Sequence, residues 1–130
     1  MDIIAKVFEN RPDVEFAYLF GSVAMGTERM ESDMDIAVYL NDQLFEEQMG
    51  QYRLELIDLL EETTGRKIDL VILNTASLKL IHQVLMYGKI IYVENEEKEK
   101  AFAWKKRKEY LDFKYYIDRD LQEMRTFYGS

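Results

Sequence analysis

Gly21-Ser22, ten further residues and then Asp33-Met34-Asp35 form the stretch of this chain best suited to chemistry. A hydrophobic run, Phe16-Ala17-Tyr18-Leu19-Phe20, enters the Gly-Ser pair. A second run, Ile36-Ala37-Val38-Tyr39-Leu40, leaves the Asp pair. Side chains alternate faces along a strand, so Asp33 and Asp35 share a face. Two carboxylates that close resist joint ionisation, and one pKa is expected to rise. A divalent cation removes the conflict, and Mg²⁺ takes one or two carboxylates together with phosphate oxygens. Asp69 sits inside another apolar run, Ile68–Leu73, where a lone charge is costly unless paired or metal-bound. If its strand lies beside that of Asp35, the three carboxylates can cluster. Two metal ions about 3.5–4 Å apart would then clamp an in-line displacement at phosphorus. Gly21 lets the backbone approach a phosphate closely. Ser22 adds a hydroxyl, and N–H groups at the start of a following helix face the anion. Taken singly, each feature has a plainer reading. Gly-Ser is an ordinary turn, Asp-x-Asp a solvated turn or cap, and Asp69 an edge-strand residue facing water. In this order and beside these strands, they point to a site for a nucleoside triphosphate and divalent metal.

The elements that must hold these residues can be read along the chain. Asp2 to about Glu9 predicts a short helix, ended near Arg11-Pro12. Val14–Phe20 reads as a buried strand, rich in aromatic and branched residues. Ser22 can cap a short helix through Ala24 and Met25, and Asp35–Leu40 forms the second strand. Asn41-Asp42 would cap a long amphipathic helix reaching about Thr64, with Leu44, Phe45, Tyr52, Leu56, Leu59 and Leu60 at helical spacing. Gly65 closes it, and Ile68–Leu73 is the third strand. Thr75 or Ser77 opens a helix carrying Leu78, Ile81, Leu85 and Met86; Gly88 ends it, and Ile90–Val93 is a fourth strand. One long helix runs from about Glu96 to Phe127 without Gly or Pro. The expected architecture is a small α/β (α+β) domain. It has a mixed sheet of about four strands flanked by helices. Residues 1–130 form a single domain, with its core at about 14–93.

Composition narrows the function classes. The chain fits one compact domain, with 48% hydrophobic residues for a core and no room for a separate acceptor-binding domain. No Cys occurs, so disulfides and thiolate metal sites are excluded, and a reducing cytoplasm is the simplest location. The N-terminus lacks a basic segment followed by an apolar run, and no stretch is long enough to span a bilayer. A net charge of −8 repels polynucleotides at long range, which favours a small-molecule or protein acceptor. A local basic patch would override that.

With these residues in place, the chain resembles the nucleotidyltransferase family related to DNA polymerase beta. The motif reads GSVAMGTERMESDMDIAVYL, followed by KIDLVIL. Its small size is similar to the minimal nucleotidyltransferases, which act as antitoxins of HEPN-domain toxins. The resemblance spans about residues 14–93, with a helical tail also typical of the group. It implies that Gly21 and Ser22 contact the triphosphate. It implies that Asp33 and Asp35 ligate both metal ions, and that Asp69 ligates the catalytic ion and helps deprotonate the acceptor hydroxyl.

 The resemblance thus implies two Mg²⁺ ions, with ATP as the substrate. The implied reaction moves AMP from ATP onto a hydroxyl with release of pyrophosphate. In such pairs the acceptor is a Tyr hydroxyl of the HEPN-type toxin, whose ribonuclease is silenced. Many relatives carry Arg where this chain has Met25; Arg29, Arg66 and Lys67 are the candidates to supply that charge.

Two other readings compete with this one. A binding module would neutralise its partner by contact, with a vestigial nucleotide site; the intact set of Gly21, Ser22, Asp33, Asp35 and Asp69 argues against decay. A small-molecule enzyme of the aminoglycoside-modifying type would need an acceptor cleft, which a dimer could build. Among the remaining residues, His82 is expected to take a helix-surface or packing role rather than act as ligand or base. Lys105-Lys106-Arg107-Lys108 reads as a solvated face paired with Glu96, Glu97 and Glu99, ahead of a role in contacting phosphates or an acidic partner. The terminal helix carries Phe102, Trp104, Tyr110, Phe113, Tyr115, Tyr116, Phe127 and Tyr128, more aromatic surface than one helix face can bury. Self-association and toxin binding would both use the surplus.

Overall fold

The computed structural model describes residues 2–21 and 33–128. Four helices and four strands follow in the order α1 (Asp2–Glu9), β1 (Val14–Phe20), β2 (Met34–Leu40), α2 (Glu46–Thr64), β3 (Ile68–Ile72), α3 (Leu78–Tyr87), β4 (Lys89–Val93) and α4 (Glu96–Tyr128). The strands form one mixed sheet in the order β3-β2-β1-β4. β1 runs antiparallel to β2 and β4, whereas β2 and β3 are parallel. The C-terminal end of β1 therefore meets the N-terminal ends of β2 and β3.

Strand alternation divides the core in two. On one face Met34, Ile36, Val38 and Leu40 of β2 join Ile68, Leu70 and Ile72 of β3, covered by Ile4 and Phe8 of α1 and Met49, Leu56 and Leu60 of α2. On the other face Phe16, Tyr18 and Ala37 pack under Ile81, Val84 and Leu85 of α3 and Ala103 of α4. Phe16 stacks on Tyr39 with ring centroids 4.8 Å apart, and Phe102 of α4 lies 5.3 Å from Phe16. Tyr18 donates a hydrogen bond to Glu99, a buried carboxylate that ties α4 to the central strand.

Two expectations need correction. The long helix α2 begins at Glu46, not at Asn41-Asp42. Asn41 instead makes a turn: its side-chain oxygen accepts from the Gln43 N–H at 2.9 Å, and its carbonyl accepts from the Leu44 N–H at 3.0 Å. The Asp42 carboxylate accepts from the Tyr39 hydroxyl. Phe45 is extended, and its N–H donates to Gln48 Oε1 at 2.9 Å, so the helix starts one residue later. Short polar side chains that bond their own backbone compete with helix in this way. The basic run is also paired differently. Lys106 bonds Glu109 at 3.2 Å, Lys108 lies over the Trp104 ring at 5.4 Å, and Glu99 is taken by Tyr18.

Helix ends otherwise follow the expected chemistry. Gly65 adopts φ +68° and its N–H donates to the Glu61 carbonyl at 2.9 Å, while Ser77 Oγ accepts from the Leu80 N–H at 3.2 Å. His82 packs, as expected, with its ring stacked on Tyr110 at 3.5 Å. Beyond Tyr110 every described side chain of α4, Leu111 to Thr126, is exposed. Sixteen helical residues extend about 24 Å.

Candidate active site

The parallel pairing of β2 with β3 sets Asp35 directly beside Asp69. The same register places Phe20, the last residue of β1, opposite Asp35. Asp35 thus stands on the central strand of the trio, with Gly21 on its β1 side and Asp69 on its β3 side. Asp33 immediately precedes β2 and is exposed; Asp35 is half-buried; Asp69 is exposed on an edge strand. Asp69 therefore faces water, as its plainer reading expects, and also shares the face of Asp35.

Burial raises the Asp35 carboxyl above the ordinary carboxylate range, and the charges of Asp69 and Asp33 raise it further. Asp35 therefore senses both neighbouring carboxylates. Among the described residues the three groups do not converge into a closed three-ligand cage. Their chemistry is nonetheless that of a hard-cation site: clustered oxygen donors crowded with negative charge.

Gly21 has φ +74°, a conformation that favours glycine. A Cβ at this position would lie 2.0 Å from Asp35 Oδ2. The glycine is thus required twice, for the backbone turn and for room beside the carboxylate. Ser22, the short helix through Ala24 and Met25, and the candidate Arg29 lie outside the described residues. Arg66 and Lys67 lie at the entrance to β3, and the Lys67 carbonyl accepts from the Met34 N–H at 2.9 Å.

One support of this layout was not legible in the sequence. Asn74 closes the far end of the β2–β3 pair: its side chain accepts from the Leu40 N–H and donates to the Leu40 carbonyl, both at 2.8 Å. Nothing in its sequence position marked it, because its partner lies 34 residues away. A cavity of about 370 Å³ lies at that same end, lined in part by Glu15, Tyr39, Asn74 and Lys98. Tyr39 is four residues along β2 from Asp35, about 13 Å, so the cavity is separate from the carboxylates.

Residues 2–97 match the family described as polymerase beta, nucleotidyltransferase. The chain belongs to that family. Over 97 residues this nucleotidyltransferase is 36% identical to the protein adenylyltransferase MntA of Shewanella oneidensis, covering 75% of the chain and 67% of the relative. It is also 36% identical over 86 residues to a putative protein adenylyltransferase of Methanocaldococcus jannaschii, covering 63% of the chain and 84% of the relative. Its fold is similar to a chain in the crystal structure of a toxin–antitoxin with AMP-PNP, with a TM-score of 0.76, 31% identity and coverage of 95% and 96%. A second similar chain comes from the tri-AMPylated Shewanella oneidensis HEPN toxin in complex with MNT antitoxin, with a TM-score of 0.67, 27% identity and coverage of 94% and 95%. Among the described residues no helix is long and apolar enough to cross a membrane.

Proposed function

We propose that this nucleotidyltransferase transfers AMP from ATP to a hydroxyl, that of a Tyr, on a HEPN-type toxin and thereby acts as its antitoxin. The observation that carries the reading is the register of Asp35 with Asp69 beside Gly21, on a chain similar to a protein adenylyltransferase. Gly21 and Ser22 hold the triphosphate tail. Asp33, Asp35 and Asp69 would hold two Mg²⁺ ions, which when bound neutralise phosphate charge and stabilise the transferring group. The acceptor oxygen attacks the α-phosphorus, a new P–O ester forms, and the α–β bridging bond breaks. Pyrophosphate leaves with that electron pair, and Asp69 helps draw the proton from the acceptor hydroxyl. The partner brings its own acceptor, so the cytoplasm that holds both proteins and ATP is the place of action.

The exposed half of α4 favours a second reading, neutralisation by contact alone. Leu111, Phe113, Tyr115, Tyr116, Leu121 and Met124 are all exposed there. Intact-mass spectrometry separates the two. The protein, ATP, Mg²⁺ and the HEPN partner should give AMP-sized mass gains on the partner, and an Asp35→Asn variant should give none. A stable complex without mass gain would leave contact as the mechanism.

A further inference from the structure

We propose that Lys67 is a positioning residue on the acceptor side of the site, and that it favours an acceptor already carrying AMP. The inference rests on the reading above. Lys67 precedes Ile68, which is buried on the opposite face, so strand alternation sets Lys67 on the face of Asp69. The Asp35–Asp69 register, carried back two residues, sets it beside Asp33, and the Met34 N–H to Lys67 carbonyl bond holds that alignment. Its side chain is exposed.

Direction gives this position its meaning. An in-line displacement puts the attacking and leaving oxygens on opposite sides of the phosphorus. With the triphosphate tail held at Gly21, pyrophosphate departs on the β1 side. The acceptor must then enter from the β3 side, where Asp69 and Lys67 stand. β3 is a sheet edge, so a macromolecule can reach it.

An unmodified Tyr hydroxyl brings no charge to that entrance. An acceptor that already carries AMP brings a phosphodiester anion. The Lys67 ammonium, exposed at that entrance, can give this anion a charge-assisted hydrogen bond that the neutral hydroxyl cannot match. The related toxin that carries three AMP groups makes repeated transfer relevant. In each repeat a ribose hydroxyl of the attached AMP would attack the next α-phosphorus, again releasing pyrophosphate.

The test compares two acceptors, unmodified toxin and toxin carrying one AMP, with wild type, Lys67→Ala and Lys67→Arg. In Lys67→Ala the ratio of second-transfer to first-transfer rate should fall about tenfold. Lys67→Arg should restore it, which a merely structural role would not produce. An unchanged ratio in Lys67→Ala would overturn the inference, as would fragmentation showing that each AMP sits on a separate side chain. No transfer by wild type to either acceptor would overturn the adenylyltransferase reading itself, and this inference with it.

Discussion

The two faces of β2 are built from alternate residues of one short strand, yet they do different work. Met34, Ile36, Val38 and Leu40 are buried beneath α1 and α2. Asp35, Ala37 and Tyr39 face the other way, under α3 and α4, and that cover leaves Asp35 half-exposed. One face supplies cohesion and the other tolerates charge. The carboxylates can remain crowded because the opposite face, not their own, anchors the strand.

That contrast can be broken at either face. Asp35→Asn should lower AMP transfer by about a thousandfold, by loss of a group that stabilises the transferring phosphate. Its unfolding midpoint in urea should stay level or rise, because crowded like charge is removed; a large fall would make Asp35 a structural residue. Gly21→Ala should lower transfer by about a hundredfold, through displacement of the Asp35 carboxylate. Steady-state kinetics close to wild type would show that the turn accommodates a side chain.

The covered face should respond in the opposite sense. Leu56→Ala empties a fully buried position and should cost about 2–5 kcal/mol of stability. The folded fraction should keep its transfer rate; loss of activity without loss of stability would mean that the faces are coupled. Tyr18→Phe removes the hydrogen bond to buried Glu99 and should cost about 1–3 kcal/mol, read by the same denaturation.

The smallest effect is in pH dependence. A carboxyl raised in the folded state binds its proton more tightly folded than unfolded. Stability therefore falls as pH rises from the ordinary carboxylate value through the raised Asp35 value. Without added metal, wild type minus Asp35→Asn should show that negative slope in acid denaturation series. A flat difference would mean that neither burial nor the neighbouring carboxylates raise Asp35.

Residue type and order carried much of this. Gly21, Asp33, Asp35 and Asp69 were legible because charge and glycine interrupt strong apolar runs, and because strand period sets faces locally. The bounds of α1 and β1 followed from equally local patterns. The start of α2 did not, because Asn41 and Phe45 choose between cap and turn through bonds only the folded chain displays.

Sequence alone thus determined which residues are candidates for the chemistry and on which face of its own strand each one lies, since both depend on side-chain type and a two-residue period. Tertiary structure decided that β2 and β3 are parallel neighbours, that Asp35 meets Asp69, and that Asn74 locks their far end. It also decided that the described side chains of α4 beyond Tyr110 are exposed. Those outcomes depend on pairing between distant segments, whose register is chosen by the burial of whole faces rather than by any one stretch of chain.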